Sequence, residues 1–244
     1  MLLRLNRYFL FFAVLALVSF HLKAQEGLVE NGFVQNFYPN DQVVSEGTMR
    51  DGKPDGYWKS YYVTGVIKSE GKRTNFLLDS TWNFYNQAGE LTQQINYKLG
   101  EKSGYATSYS YKSPNNPGQP TVISSELYVN GKKEGNSFYY FPTGELKYIV
   151  YYKNGKKQGL SREFSTDSTL IAVEEYNDNY LINKERLNRT DKEGRKQGTY
   201  REYYENGAVK IEEHYLDNQL HGYYREFDGR GVLVTAIRYE RVAI

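Results

Sequence analysis

The chain contains no cysteine. Disulfides and lipid attachment through a thiol are therefore both excluded, and any export signal has to lie elsewhere in the sequence. Histidine is nearly as scarce. Of His21, His214 and His221, the first sits in an apolar leader and the other two fall at non-equivalent places in a repeat described below. Without thiolates, a metal site would need both of those histidines and carboxylates such as Glu212 or Glu213 to converge, so the sequence points to no metal and no cofactor. An excess of one charge is also missing, with 31 Lys and Arg against 29 Asp and Glu. The two signs alternate along the chain, which argues against nucleic acid as a partner, because phosphate-backbone binding needs concentrated positive charge.

Long apolar runs are absent except near the start. Arg4 and Arg7 precede the segment Tyr8 to Phe20, about 13 residues long, and His21-Leu22-Lys23-Ala24 leads into Gln25. That is the pattern of a signal peptide, too short for the roughly 20 residues that span a bilayer. The sequence predicts residues 1–24 as the signal peptide, cleaved after Ala24, and export to the periplasm, cell surface or exterior. Removing residues 1–24 takes away three basic residues and no acidic ones, leaving a net charge of −1.

What the chain does have is self-similarity. "NGKKEG" at Asn130 returns as "NGKKQG" at Asn154, 24 residues later. Taking the glycine of that phrase as position zero, the frame falls on Gly52, Phe76, Gly100, Gly131, Gly155, Asn179, Gly194 and Asn218, with an earlier copy from Leu28. Two steps differ from 24. One carries the insertion 113–120, "SPNNPGQP", whose prolines read as an enlarged loop. The other is a truncated copy, 179–193, where the frame predicts an irregular joint. A fixed period of this length is the signature of a repeat architecture.

Position nine is aromatic in every full copy (Phe37, Tyr61, Tyr85, Tyr109, Tyr140, Phe164, Tyr203, Phe227). Position fifteen is aliphatic throughout, and position twenty-one is tyrosine from Tyr97 to Tyr239. Two short runs rich in aromatic and β-branched residues, separated by one glycine turn and followed by an Asn-Gly or Asp-Gly turn, read as a β-hairpin per unit. The predicted fold is all-β: an elongated array of antiparallel hairpins forming one continuous twisted sheet over residues 25–244. Positions nine and fifteen are expected to pair across the strands. Positions nine, fifteen and twenty-one are expected to form three structural rows on one face.

The pattern G-x-x-x-G-x-x-x-x-Y-x-x-x-G-x-[LV], as in "GKKEGNSFYYFPTGEL" and "GRKQGTYREYYENGAV", resembles MORN-type repeats. It is more closely similar to the MORN variant of bacterial proteins labelled as YwqK-family antitoxins, over residues 28 to about 240. The resemblance implies a MORN-like β-repeat fold and an antitoxin activity, although a cytoplasmic antitoxin would need no signal peptide.

No catalytic constellation emerges. "GKKEG" and "GKKQG" lack the spacing of a phosphate loop, no G-x-S-x-G elbow is present, and the carboxylate pairs recur at repeat positions as exposed strand residues. The remaining aromatics, of opposite parity, are expected to face solvent as a binding surface: Trp58, Trp82, Tyr200 and Tyr224 at position six, Tyr139 at eight, Tyr62 and Tyr204 at ten. The function expected is that of an exported, non-enzymatic protein–protein interaction module. The alternatives are an antitoxin or immunity protein neutralising a partner toxin, and a module binding membrane surfaces or glycans.

Overall fold

A computed structural model describes residues 30–204 and 206–240; the leader 1–24 lies outside them. Among the described residues there are strands and turns and no helix. The strands form a fifteen-stranded antiparallel sheet from Gly32 to Arg186 and a six-stranded one from Arg189 to Tyr239. Within each, consecutive main strands are neighbours, as expected of a hairpin array.

The hairpin follows from its turns. Apart from the unit at Gly194, each unit from Gly52 onward begins with two successive left-handed residues, such as Asn130 (φ 47°) and Gly131 (φ 75°) or Asn154 (φ 51°) and Gly155 (φ 82°). This I′ geometry matches strand twist and selects Asn-Gly. Successive I′ turns stack: Gly131 N–H donates to Lys102 O at 2.9 Å, and Gly155 N–H to Lys133 O at 2.8 Å. At the other end Tyr62 N–H donates to Val66 O and Gly65 N–H to Tyr62 O, both at 2.8 Å, with Gly65 at φ 84°. The same two hydrogen bonds recur at Asn86–Glu90 and Phe141–Glu145, and between Tyr204, Gly207 and Ala208. Residues 111–120 replace this turn with the enlarged loop between Glu101–Ser110 and Thr121–Val129.

The cross-strand pairing of positions nine and fifteen is present in all eight full units, from Phe37↔Val43 and Tyr61↔Ile67 to Tyr203↔Val209 and Phe227↔Leu233. Immediately inside each pair the register shifts, so that Ser60 faces Ser69 and Glu202 faces Ile211. Position sixteen is therefore an extra residue, a β-bulge, and a bulge exchanges the faces of every residue beyond it. Here the structure corrects the sequence reading. Position twenty-one does not share a face with position nine; it shares one with positions six, eight, seventeen and nineteen.

That second face is the packed one. Trp58, Trp82, Ala106, Ser137 and Ser161 at position six are buried, as are Ile95 and Val150 at position nineteen, Ala172 at seventeen and Tyr152 at twenty-one. Bulk is exchanged between strands. Where position nineteen is glycine, the next unit brings tryptophan, as in Gly47↔Trp58; where it is Ile95 or Val150, the next unit brings Ala106 or Ser161. Each indole lies flat against the glycine backbone and donates its N–H to a carbonyl on that strand, Trp58 to Thr48 O and Trp82 to Lys72 O, both at 2.9 Å.

The truncated copy divides the array. Tyr180–Arg186 is the last strand of the first sheet, and the chain changes partner at Leu187 and Asn188. Leu187, with no exposed surface, fills the junction. Arg201 spans it, bonding Glu185 at 2.5 Å and Glu212 at 2.6 Å.

A methyl group at Gly47 would lie 2.5 Å from Cδ2 of Trp58, and one at Gly71 would intrude equally on the Trp82 ring. Gly47→Ala and Gly71→Ala are each expected to lower unfolding free energy by about 2 kcal/mol, as overpacking of a filled site does. Gly229→Ala, with open space around it, is expected to stay within about 0.5 kcal/mol of the parent. Urea denaturation of the three variants checks this, and equal midpoints would contradict the stacking.

Candidate functional site

The packed face carries a ladder built from two residues of each of four later units. The second lysine of "GKK" or its equivalent, at position two, lies over the position twenty-one tyrosine: Lys102 over Tyr128 and Lys133 over Tyr152 at 4.9 Å, Lys157 over Tyr176 at 4.7 Å, Lys196 over Tyr215 at 4.4 Å. These are cation–π distances. Carboxylates at position nineteen complete the ladder, accepting from Tyr128 (Glu126, 3.1 Å), Tyr176 (Glu174, 2.7 Å) and Tyr215 (Glu213, 2.9 Å).

Around Glu126 the network is densest, since Lys133 Nζ donates to it at 2.5 Å and Tyr139 Oη at 2.7 Å. Burial alone would raise this carboxyl, but the hydrogen bonds from Lys133, Tyr139 and Tyr128 hold it below its ordinary value. Burial pushes the Tyr139 phenol upward, and its bonds to Tyr152 and Glu126 add to the shift. Lysine, carboxylate and phenol satisfy one another here, so the ladder is a stabilising network rather than an open reactive site.

The predicted surface residues fall into three groups. Trp58 and Trp82 are 8% and 6% exposed; they lie opposite position nine, as expected, but the expectation that they face solvent fails because the bulge brings positions seventeen, nineteen and twenty-one of the return strand onto their face, where they pack. Tyr139, Tyr200 and Tyr224 lie on that same face, half-buried. Tyr200 donates to Arg189 O at 2.6 Å and meets Tyr215 edge-on at 5.2 Å between ring centres. Tyr62 and Tyr204 sit in the four-residue turns, where Tyr62 Oη donates to Tyr85 O at 2.8 Å and Tyr204 Oη to Phe227 O at 2.9 Å. They tie each turn to the next unit. The seven residues do not form one surface.

The accessible apolar row is on the opposite face, at position five. Phe33 (64% exposed), Tyr57 (53%), Tyr105 (47%), Leu160 (52%) and Tyr223 (47%) occupy it, and Tyr151, opposite Asn136, contributes where the row is interrupted. The sequence signal is simple: each of the five directly follows the position-four glycine, as in Gly56-Tyr57 and Gly104-Tyr105. Position-four Gly56, Gly104 and Gly222 are left-handed, at φ 77°, 94° and 87°.

Two units match a known repeat model. Residues 133–154 and 196–217 match the MORN repeat variant, which supports a MORN-repeat protein. Both segments run from the position-two lysine to the I′ turn and so contain the ladder pairs Lys133–Tyr152 and Lys196–Tyr215. No curated protein matches the chain. Among solved structures, the chain is similar to one in the crystal structure of TcdB2-TccC3-Cdc42, at 11% identity over 84% of this chain and 13% of that one, with a TM-score of 0.22. A likeness that slight carries no argument.

A set of tyrosines in the MORN-type units is held in the protonated form. Burial, followed by a hydrogen bond to a carboxylate, raises Tyr61 and Tyr85 on one face to about 12. Burial together with interactions with Glu126, Glu174 and Glu213 raises Tyr128, Tyr176 and Tyr215 on the other to about 12. An unfolded phenol ionises near 10. A raised folded value gives stability that is complete below pH 10 and lost as pH rises through 12. Ionisation of this raised set, monitored by tyrosinate absorbance, is expected only above pH 10 and together with loss of β-structure. One transition near pH 10, with the fold retained, would contradict this.

Proposed function

We propose that the chain is an exported, non-enzymatic interaction module that binds another protein through the exposed face of its MORN-type array. The observation that carries this reading is the row of Phe33, Tyr57, Tyr105, Leu160 and Tyr223. Aromatic and aliphatic side chains at one repeat position stand exposed on the face that positions nine and fifteen share, and amphipathic aromatics supply large contact area at low entropic cost. MORN repeats generally serve as protein or membrane interaction modules, which agrees with this reading. Export is inferred from the signal-peptide pattern of residues 1–24. The absence of surplus positive charge favours a protein partner over an anionic membrane.

The test is affinity capture from the native host using the tagged chain as bait, comparing the parent with a Tyr57→Ser, Tyr105→Ser, Tyr223→Ser variant. A stoichiometric protein held by the parent and reduced at least about tenfold in the variant is the expected outcome. Toxicity of that protein when expressed alone would favour the immunity reading. Recovery of the same proteins with both baits would remove the position-five row from the account.

A further inference from the structure

The truncated copy leaves a strand without its partner. In a complete unit the first strand pairs with the preceding unit on one edge and with its own return strand on the other, as Trp58 stands between Gly47 and Gly71. Tyr180–Arg186 has only the first of these. It pairs with Leu170–Asn177, from Ala172↔Arg186 to Asn177↔Tyr180, and closes the first sheet. The nine residues missing from this copy correspond to its return strand. Instead Asn188 N–H turns to Thr199 O at 2.8 Å, and Arg189 and Thr190 pair with Gln197 and Lys196. Among the described residues no strand pairs with the other edge of Tyr180–Arg186.

The first half of that strand is apolar and exposed, and its second half is charged. Tyr180 is 79%, Leu181 51% and Ile182 60% accessible, although open edges in natural sheets are ordinarily blunted by charge, proline or a cover. Beside it lies an open cavity of about 890 Å³, lined among others by Lys184, Arg186, Arg189, Lys196 and Tyr200. Lys184 is bridged to Glu163 at 3.1 Å and Glu174 at 2.6 Å. Arg186 and Arg189 form no ion pair among the described residues, and Lys196 rests on the Tyr200 and Tyr215 rings, at 4.8 and 4.4 Å, rather than against a carboxylate. The two carboxylates of the lining are occupied, Glu163 by Lys184 and Tyr148, Asp167 by Ser165.

We propose that an extended acidic segment of a partner protein adds to the open edge of Tyr180–Arg186 as the missing strand, with its carboxylates directed at Arg186, Arg189 and Lys196. Backbone pairing supplies the docking, and charge supplies the selection. Because alternate residues of a strand point to opposite faces, the fitting segment alternates acidic and aliphatic residues. A second copy of this chain fits poorly: its end strands Gly32–Phe37 and Leu233–Tyr239 contain no carboxylate. The site is separate from the position-five row, so its failure leaves that surface standing.

The test uses the whole chain and a fluorescently labelled, end-blocked nine-residue peptide of alternating Val and Glu, compared with one of alternating Val and Lys. The Glu peptide is expected to bind at least about tenfold tighter by anisotropy, roughly 1.4 kcal/mol. The order is expected to reverse in an Arg186→Glu, Arg189→Glu variant and persist in Arg186→Lys, Arg189→Lys. Both sites are exposed, so the fold tolerates the changes. Leu187 N–H bonds Ile171 O, and by alternation the Lys184 and Arg186 N–H groups point to the open edge. Their hydrogen exchange is expected to slow when the Glu peptide binds. Equal affinity for both peptides, a preference that survives charge reversal, or protection confined to other strands would each overturn the proposal.

Discussion

A sheet one layer thick has nothing stacked against it, so its side chains can be buried only by their neighbours along the sheet. The exchange of bulk between positions nineteen and six meets that constraint. Trp58 lies on Gly47 and Trp82 on Gly71, while Ile95 and Val150 stand beside Ala106 and Ser161. Each contact crosses from one unit to the next, so no hairpin is complete by itself. Repetition is a condition of stability for such an array. Polar residues join the same scheme, because the Lys–Tyr–Glu ladder covers apolar ring surface with lysine stems and pairs each carboxylate internally.

The period, the hairpin and the pairing of Tyr61 with Ile67 and its equivalents were legible in the sequence, because turn glycines and aromatic positions recur at fixed spacing. The face of each row was not. Position sixteen is occupied by residues as unlike as Val44, Lys68, Thr92 and Lys210, and a bulge imposed by the register of both strands leaves no residue preference there to read. Counting parity through it placed position twenty-one on the face of position nine and left Trp58 and Trp82 without the residues that cover them. The accessible row at position five could have been read from the residue after each position-four glycine. The ladder could not, since the contact of Lys133 with Tyr152 depends on how the strands curl around the I′ turn.

With the packed face satisfied internally, the functional weight moves to what the repeat leaves open. The position-five row is a regular feature, present wherever the unit keeps an apolar residue after its glycine. The joint is a single event, where the loss of nine residues removes one strand, splits the sheet at Leu187 and leaves Arg186 and Arg189 without carboxylates among the described residues. One surface is extended and apolar. The other is local and combines an open backbone edge with charge.

The bulge's placement of positions nineteen and twenty-one on the face of position six is the central claim, and the chain's two tryptophans, which that packing buries, report on it. The measurement is native-state tryptophan fluorescence with iodide quenching. Burial of Trp58 and Trp82 against Gly47 and Gly71 predicts blue-shifted emission, weak quenching in the folded protein, and strong quenching once urea has unfolded it. Red-shifted emission, quenched as readily before unfolding as after, would leave both indoles uncovered and contradict the account.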